Sequence, residues 1–66
     1  MPRDLPAGPR IRERRLAAGM AQAELARLCG ISPSYLNLIE HGRRRAGAAL
    51  VARAAAAMGL DRALLE

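Results

Sequence analysis

The sequence contains no lysine, phenylalanine or tryptophan, and it has only one tyrosine and one cysteine. A single cysteine, Cys29, excludes an internal disulfide and an all-cysteine zinc site, and such a small chain without disulfides fits a reducing compartment. Without large aromatics the core must be thin and closely packed, because alanine is the commonest of the apolar residues. No apolar run could cross a bilayer, and the N-terminal MPRDLPAGPR does not resemble a signal peptide. We expect a soluble, cytoplasmic protein.

The charge of the chain is one-sided. Its 11 basic residues are all arginine and stand against 6 acidic ones, which gives a net charge of +5 and an isoelectric point near 11.4. A domain this basic suits nucleic acid or an anionic membrane surface as a partner. The alternative is a solvated basic surface without a partner. With 66 residues, the chain has room for one small domain.

Glycines and prolines divide the chain into short helices. Residues 1–7, with prolines at 2 and 6, are expected to form a flexible arm ahead of a domain over residues 8–66. Gly8 can cap the first helix, and Pro9 can occupy its first turn because proline lacks only an N–H that is not needed there. Ser32 is a natural N-cap for the third helix. The predicted helices cover about 9–18, 22–29, 33 to 40 or 41, and 48–58, and Asp61 caps a last turn that the C-terminus cuts short.

The second and third helices meet at LCGIS, a turn too short for antiparallel packing, so they should cross at a wide angle as a helix-turn-helix over residues 22–41. Gly30 lies where the chain must turn. The positions that such a unit buries carry small or aliphatic residues, namely Leu25, Ala26, Cys29, Ile31, Leu36 and Ile39. No strand pattern is present. The predicted fold class is therefore all-α, a compact bundle of four to five short helices.

The segment RLAAGMAQAELARLCGISPSYLNLIEHGRRR resembles the lambda-repressor-like helix-turn-helix domains of the Xre or Cro type. The resemblance covers about Pro9 to Leu60, and it implies a bacterial-type transcriptional regulator that binds specific sequences of double-stranded DNA. The shorter GISPSYLNLIEH resembles the short-chain fatty acyl-CoA regulator-like transcription factors. The matching positions are Arg15, Gly19, Gln22, Glu24-Leu25-Ala26, Gly30 and Glu40-His41-Gly42.

Backbone phosphates are the first expected partners of this domain. Gln22 begins the second helix, where its amide and the exposed N–H groups can meet a phosphate, and the resemblance implies that role. The guanidinium groups of residues 43–45 can bind phosphate oxygens, although a solvated loop is the alternative. The hydroxyl of Tyr35 can donate to a phosphate. The predicted phosphate-contacting residues are Gln22, Ser32, Tyr35, Arg43, Arg44 and Arg45.

Base reading is expected from the outward face of the third helix, which domains of this kind lay in the major groove. By the family pattern, its base-contacting residues are Pro33, Ser34, Asn37 and Leu38. Leu38 suits a thymine methyl group, and Ser34 can bond to donors or acceptors. Asn37 can instead hold a phosphate or sugar, and Tyr35 and Leu38 can instead pack against a neighbour or a dimer partner. Since positions 33, 34 and 38 carry no long polar side chain, DNA shape should contribute to specificity.

The resemblance also implies a structural ion pair between Arg15 and Glu40, which would link the first helix to the end of the third. Deleting one partner of a partly buried pair leaves a desolvated charge. His41 has no second ligand nearby, so a helix-end or phosphate role is expected for it in place of a metal. Cys29 is interpreted as a small core residue.

Other classes of function have less support. The sequence shows no paired carboxylates, no nucleophile beside a base and no metal-ligand spacing, so we expect neither an enzyme nor a cofactor or metal. A protein-interaction module with the same fold, such as the antitoxin of a toxin-antitoxin pair, is the main alternative. A membrane-surface helix is a further one, but no segment combines a bulky apolar face with a basic face.

Domains of this type commonly bind as two-fold dimers, which predicts a homodimer. The expected contact surface is the fourth helix with LDRALLE, where Leu60, Leu64 and Leu65 would otherwise be exposed. Because the chain stops in a predicted helix at Glu66, we expect it to be the N-terminal part of a longer regulator.

Overall fold

Short helices account for most of the computed structural model, which describes residues 6–66. Helix α1 spans Ala7–Ala17, α2 spans Gln22–Cys29, α3 spans Pro33–Glu40 and α4 spans Ala48–Met58, followed by a 3₁₀ turn over Arg62–Leu64. The described residues contain no strand, which confirms the all-α prediction. Within the same range, no helix has the length and apolar character needed to cross a membrane.

The turn between α2 and α3 is built around Gly30. Its φ of +74° lies in the left-handed region, which glycine adopts without the penalty that a Cβ would bring. The N–H of Ile31 reaches back to the carbonyl oxygen of Ala26 at 3.0 Å, which closes the end of α2. The predicted helix-turn-helix therefore forms through a glycine-capped helix end, and Ile31 packs against the core as it leaves the turn.

Helix α3 has well-defined ends. The hydroxyl oxygen of Ser32 accepts a hydrogen bond from the N–H of Tyr35 at 3.1 Å, and Pro33 occupies the first helical position. At the other end, Gly42 has a φ of +76° and turns the chain out of the helix. The predicted start and cap of this helix are confirmed, and of the two predicted ends the structure shows Glu40, with His41 as the C-cap.

Helix α1 begins earlier than predicted, at Ala7 and not at Pro9. Its N-cap is Pro6, so the prediction that Gly8 caps the helix is wrong. Pro9 still lies in the first turn, where its missing N–H costs nothing. Of the predicted arm, Ala7 is helical and Pro6 is the N-cap, while residues 1–5 lie outside the described residues.

Gly8 is buried inside α1 because α3 passes very close to it. A Cβ at this position would overlap the carbonyl oxygen of Ile39 and would lie 2.9 Å from its carbonyl carbon. Only a glycine permits this approach of two helix backbones. The position was predicted to be a cap, and it is in fact a point where the backbones of α1 and α3 are in close contact.

The core lies where α1, α2 and α4 meet, with α3 packed against α1 and α2. Each predicted buried position of the helix-turn-helix faces it, and Ile31 does so only partly. From α4, the buried residues are Val51, Ala54 and Ala55. This agrees with the thin, alanine-rich core expected from the composition.

The C-terminal residues do not form the exposed surface that was predicted for a dimer. Leu65 is 0% exposed and belongs to the core, and Leu60 is partly buried against it. Of the three leucines, only Leu64 is exposed. The carboxylate of Asp61 accepts a hydrogen bond from the N–H of Ala63 at 2.9 Å, and the resulting 3₁₀ turn returns the chain to α4. The predicted cap is confirmed, but it starts a 3₁₀ turn and not a truncated α-helix.

Candidate nucleic-acid interface

The outward face of α3 opens onto a shallow surface cleft of about 480 Å³. The cleft is lined by Gln22, Pro33, Ser34, Asn37 and Leu38. The structure therefore brings together all four residues that were predicted to contact bases, and it adds Gln22 from the start of α2. An open cleft of this kind, lined by apolar and amide groups, can receive the edge of a base.

The two faces of α3 differ sharply in burial. Leu36, Ile39 and Glu40 are buried against the rest of the domain. The side chains of residues 33–35 and of Asn37 are exposed, while Leu38 is half-buried at the edge. Over its first turn, the outer side of the helix is therefore not covered by the other residues that the structure describes.

A basic loop follows α3 directly and is tied back to it. The N–H groups of Arg43 and Arg44 both reach the carbonyl oxygen of Leu38, at 2.8 and 3.3 Å. These bonds hold the loop of residues 43–45 beside the C-terminal end of α3, and all three guanidinium-bearing residues are exposed. Arg44 and Arg45 also line a second cleft of about 410 Å³ that begins at the N-terminus of α1.

The remaining predicted phosphate contacts lie at the start of α3. The Ser32 oxygen accepts from the Tyr35 N–H, which leaves its own proton available to a phosphate. Tyr35 is 42% exposed, so part of its surface is accessible, and both the phosphate role and packing against a neighbour stay predictions. Packing of Tyr35 against a dimer partner stays open.

A buried ion pair connects α1 to α3. The Nε of Arg15 donates to Oε2 of Glu40 at 2.8 Å, and its Nη2 donates to Oε1 at 3.0 Å. The third nitrogen, Nη1, donates to the carbonyl oxygen of Met20 at 2.8 Å. Both side chains are nearly inaccessible, at 9% and 0% exposed. The pair implied by the family resemblance is present, and it also fixes the loop between α1 and α2.

Gln22 joins this network, which the sequence did not reveal. Its Nε2 donates to Oε1 of Glu40 at 3.0 Å, although 18 positions separate the two residues. No local spacing signals such a contact, because it depends on how α2 crosses α3. The sequence offered one signal, the glutamate at the end of the predicted third helix, but that residue was already expected to pair with Arg15.

Two further residues have structural roles here. Nδ1 of His41 lies 2.9 Å from the carbonyl oxygen of Asn37, so the ring caps the end of α3, in line with the expected helix-end role. Cys29 is buried, and burial raises the pKa of its thiol while nearby Arg53 partly offsets the effect. A raised pKa keeps the thiol protonated, which suits a core residue. The described residues contain no cluster of three or more potential metal ligands.

Comparison with known proteins decides the family. A helix-turn-helix family model, HTH_3, matches residues 11–65. The transcriptional regulator RamB of Mycobacterium tuberculosis is 44% identical over 54 residues, which is 82% of this chain but 11% of that protein. The chain belongs to the lambda-repressor-like, Xre-type helix-turn-helix family.

Two solved structures have the same fold. The restriction-modification controller protein C.AhdI of Aeromonas hydrophila superposes with a TM-score of 0.83 at 33% identity, covering 91% of each chain. The clp gene regulator ClgR of Corynebacterium glutamicum gives a TM-score of 0.82 at 33% identity, covering 86% of this chain and 74% of that one. The narrower resemblance to fatty acyl-CoA regulators stays a prediction, since the matched family model describes the wider family.

Proposed function

We propose that this domain binds specific sequences of double-stranded DNA as the DNA-reading part of a bacterial-type transcriptional regulator. The observation that carries the proposal is the position of two surfaces beside each other. The open cleft on α3 and the basic loop at residues 43–45 are joined through the Leu38 carbonyl. In DNA, the base edges in a groove lie beside negatively charged phosphates. A cleft that reads bases, with a basic loop beside it, matches this arrangement.

In this arrangement α3 lies in the major groove and its outward residues read bases. Ser34 and Asn37 supply hydrogen-bonding groups, and Pro33 and Leu38 supply apolar contact to a thymine methyl group. Because only two of these side chains are polar and both are short, sequence-dependent DNA shape adds to the selectivity.

Phosphates position the domain and supply most of its affinity. Arg43, Arg44 and Arg45 bind them on one side of α3, and Ser32 and Tyr35 bind them at its start. Gln22 was assigned to the phosphate group from the family resemblance.

The remaining parts of the proposal concern the regulator as a whole. We propose that it acts by binding and not by catalysis, in the bacterial cytoplasm on the nucleoid. The domain, which extends over residues 8–66 with the helix-turn-helix at 22–41, binds as a homodimer on two half-sites about 34 Å apart. The chain spans 11% of the length of RamB. We propose that the whole regulator also contains an effector-sensing region.

Titration against duplex DNA at several salt concentrations tests the proposed function. We expect selection from a random pool to yield a defined, two-fold symmetric site, with affinity that falls steeply as salt rises. Sedimentation with and without that site then reports whether one or two copies bind. Equal, weak affinity for every duplex would contradict the proposal and would favour a protein-interaction module.

A further inference from the structure

His41 lies between the cleft on α3 and the arginine loop. It is the C-cap residue of α3, it is exposed, and only Gly42 separates it from Arg43. Its ring is bonded to Asn37, which lines the cleft on α3. The imidazole therefore stands beside the surface proposed to contact DNA, and the inference that follows rests on that proposed function.

The bond to Asn37 fixes which ring nitrogen carries the proton. Nδ1 of His41 lies 2.9 Å from the carbonyl oxygen of Asn37, and the backbone N–H of His41 donates to the same oxygen at 3.1 Å. A carbonyl oxygen can only accept hydrogen bonds, so Nδ1 must be the donor. In a neutral imidazole only one nitrogen carries a proton, which makes Nε2 an acceptor.

The direction of Nε2 follows from the shape of the ring. The two nitrogens flank one ring carbon, and their outward directions diverge widely. Because Nδ1 faces the end of α3, Nε2 is directed away from the Asn37 carbonyl, on a residue that is exposed. Nε2 is therefore the ring atom that an external partner can reach.

The charge state of the ring decides whether that partner can be a phosphate. Neutral His41 presents a lone pair at Nε2, which the oxygens of a phosphate repel because they also only accept. Protonated His41 presents an N–H and a positive charge at Nε2 and keeps its bond to Asn37. Histidine is the side chain that ordinarily changes between these two forms between about pH 5 and pH 8.

The charged groups near His41 come from the loop and from α1. The arginines at 43–45 are exposed and positive. Arg15 of α1 is paired with the Glu40 carboxylate, and α2 brings the uncharged Gln22 to the same carboxylate. A DNA phosphate would supply a negative charge that these groups do not leave over for the imidazolium.

We propose that His41 is a proton-dependent phosphate contact, which donates from Nε2 to a DNA phosphate only when its ring is protonated. The domain then takes up a proton from solvent when it binds DNA, and its affinity rises as the pH falls through the range in which histidine titrates. The helix-end role and the phosphate role expected from the sequence are held by different nitrogens of the same ring.

The test measures the affinity of the whole chain for the duplex that it selects from a random pool, at about pH 5.5 and about pH 7.5 and at constant ionic strength. We expect each bound copy to gain roughly 3- to 10-fold in affinity at the lower pH. The slope of log affinity against log salt should also steepen there by about 0.9. His41→Asn should remove both differences, because an amide gains no proton. His41→Arg, charged at both pH values, should bind equally at both.

The two variants isolate His41 from other groups that titrate. The chain has one histidine, and burial raises the pKa of the Cys29 thiol above a value that is already higher than neutral pH. The N-terminal amino group ordinarily titrates near about pH 8 and carboxylates near about pH 4. Both variants keep these groups, so their contribution cancels in the comparison with the wild type. Circular dichroism at both pH values establishes that each protein is folded, and if His41→Asn does not fold, His41→Arg decides the proposal.

One result would overturn the proposal outright. If His41→Asn loses the same factor at both pH values, or loses nothing, the ring makes no contact that depends on its proton and has only its helix-end role. The failure of the proposed function looks different, because the wild type would then prefer no duplex over another at either pH. Selective binding that does not change with pH overturns this inference alone.

Discussion

Glu40 accepts three hydrogen bonds, two from Arg15 and one from Gln22, at distances of 2.8 to 3.0 Å. It therefore connects α1, α2 and α3 through a single residue that is 1% exposed. We expect Glu40→Ala to destabilise the domain by about 3 to 5 kcal/mol, since it leaves the Arg15 charge buried without a partner. Thermal unfolding followed by circular dichroism measures the effect.

A double variant separates the loss of the pair from the burial of a lone charge. Arg15→Met with Glu40→Met removes both charges and keeps apolar volume, so it should cost clearly less than the two single variants added together. An unchanged melting temperature for Glu40→Ala would show that the ion pair adds nothing to the fold.

For single residues, the sequence predicted burial in the core better than it predicted which side chains bond to each other. Cys29 and Ala26 were expected in the core and are found there, because their size and spacing mark a helix crossing. The bond from Gln22 to Glu40 was missed, since a contact over 18 positions depends on a crossing geometry that only the folded chain has.

Among the helices, α2 has an incomplete start. Its N-cap is Ala21, which has an extended backbone with ψ at 146° but no side-chain hydrogen bond, and Glu24 lies three residues later. Ala21→Ser would supply the missing oxygen and would form a capping box with Glu24. We expect the free energy of unfolding to rise by about 1 kcal/mol, measured by urea denaturation.

The matched control for this variant is Ala23→Ser, which places the same hydroxyl at the second residue of the helix. Serine there cannot cap and has a lower helix propensity, so a slight loss of stability is expected. Equal effects of the two substitutions would mean that capping does not limit the stability of α2.

The packing of α1 against α3 depends on Gly8, where a Cβ would overlap the carbonyl oxygen of Ile39. Alanine has the better helix propensity, by about 1 kcal/mol, so propensity alone predicts that Gly8→Ala is stabilising. We expect the opposite, a loss of about 1 to 3 kcal/mol, because two backbones must move apart. Affinity for DNA should fall as well, since the displaced residue belongs to α3.

Gly47→Ala is the control for Gly8→Ala. Gly47 has a φ of −71°, and nothing lies within 4 Å of the position a Cβ would take, so the added methyl group meets open space. Its cost should stay below about 1 kcal/mol, the capping preference of glycine over alanine. A Gly8→Ala variant as stable as this control would show that α1 and α3 can separate freely.

Helix ends that are marked by local residues could be predicted from the sequence, whereas the start of α1 could not. The helices at residues 22–29, 33–40 and 48–58 were predicted with their bounds, to within one residue at Glu40, because glycine and the Ser32-Pro33 step mark their ends. The start of α1 was misplaced by two residues. A glycine near a helix start looks like a cap, and the close approach of Ile39 that explains Gly8 comes from a distant part of the chain.

At the scale of the whole molecule, the burial of Leu65 changes the expected dimer surface. The sequence suggested that the C-terminal leucines need a partner copy, but the 3₁₀ turn returns Leu65 to the domain's own core. Sequence pattern could not distinguish the two outcomes, because an apolar residue near a chain end suits an interface and a core equally. Of the three C-terminal leucines, only Leu64 is exposed, at 39%, and the part of the predicted surface that lies on α4 stays a prediction.

A net charge of +5 attracts any polyanion, whereas in the proposed DNA complex only arginines that contact phosphates set the salt dependence of binding. Each such contact releases counterions, so the slope of log affinity against log salt falls by about 0.9 when one is removed. We expect this change for at least one of Arg43→Ala, Arg44→Ala and Arg45→Ala, with the order of preferred base sequences preserved.

Arg62→Ala is the matched control, because it removes the same charge from an exposed arginine that is paired with Glu66 at the C-terminal turn. It should change the slope little, although it lowers the net charge equally. If all four variants change the slope alike, the domain attracts DNA through its overall charge, and the loop held against the Leu38 carbonyl has no special part in binding.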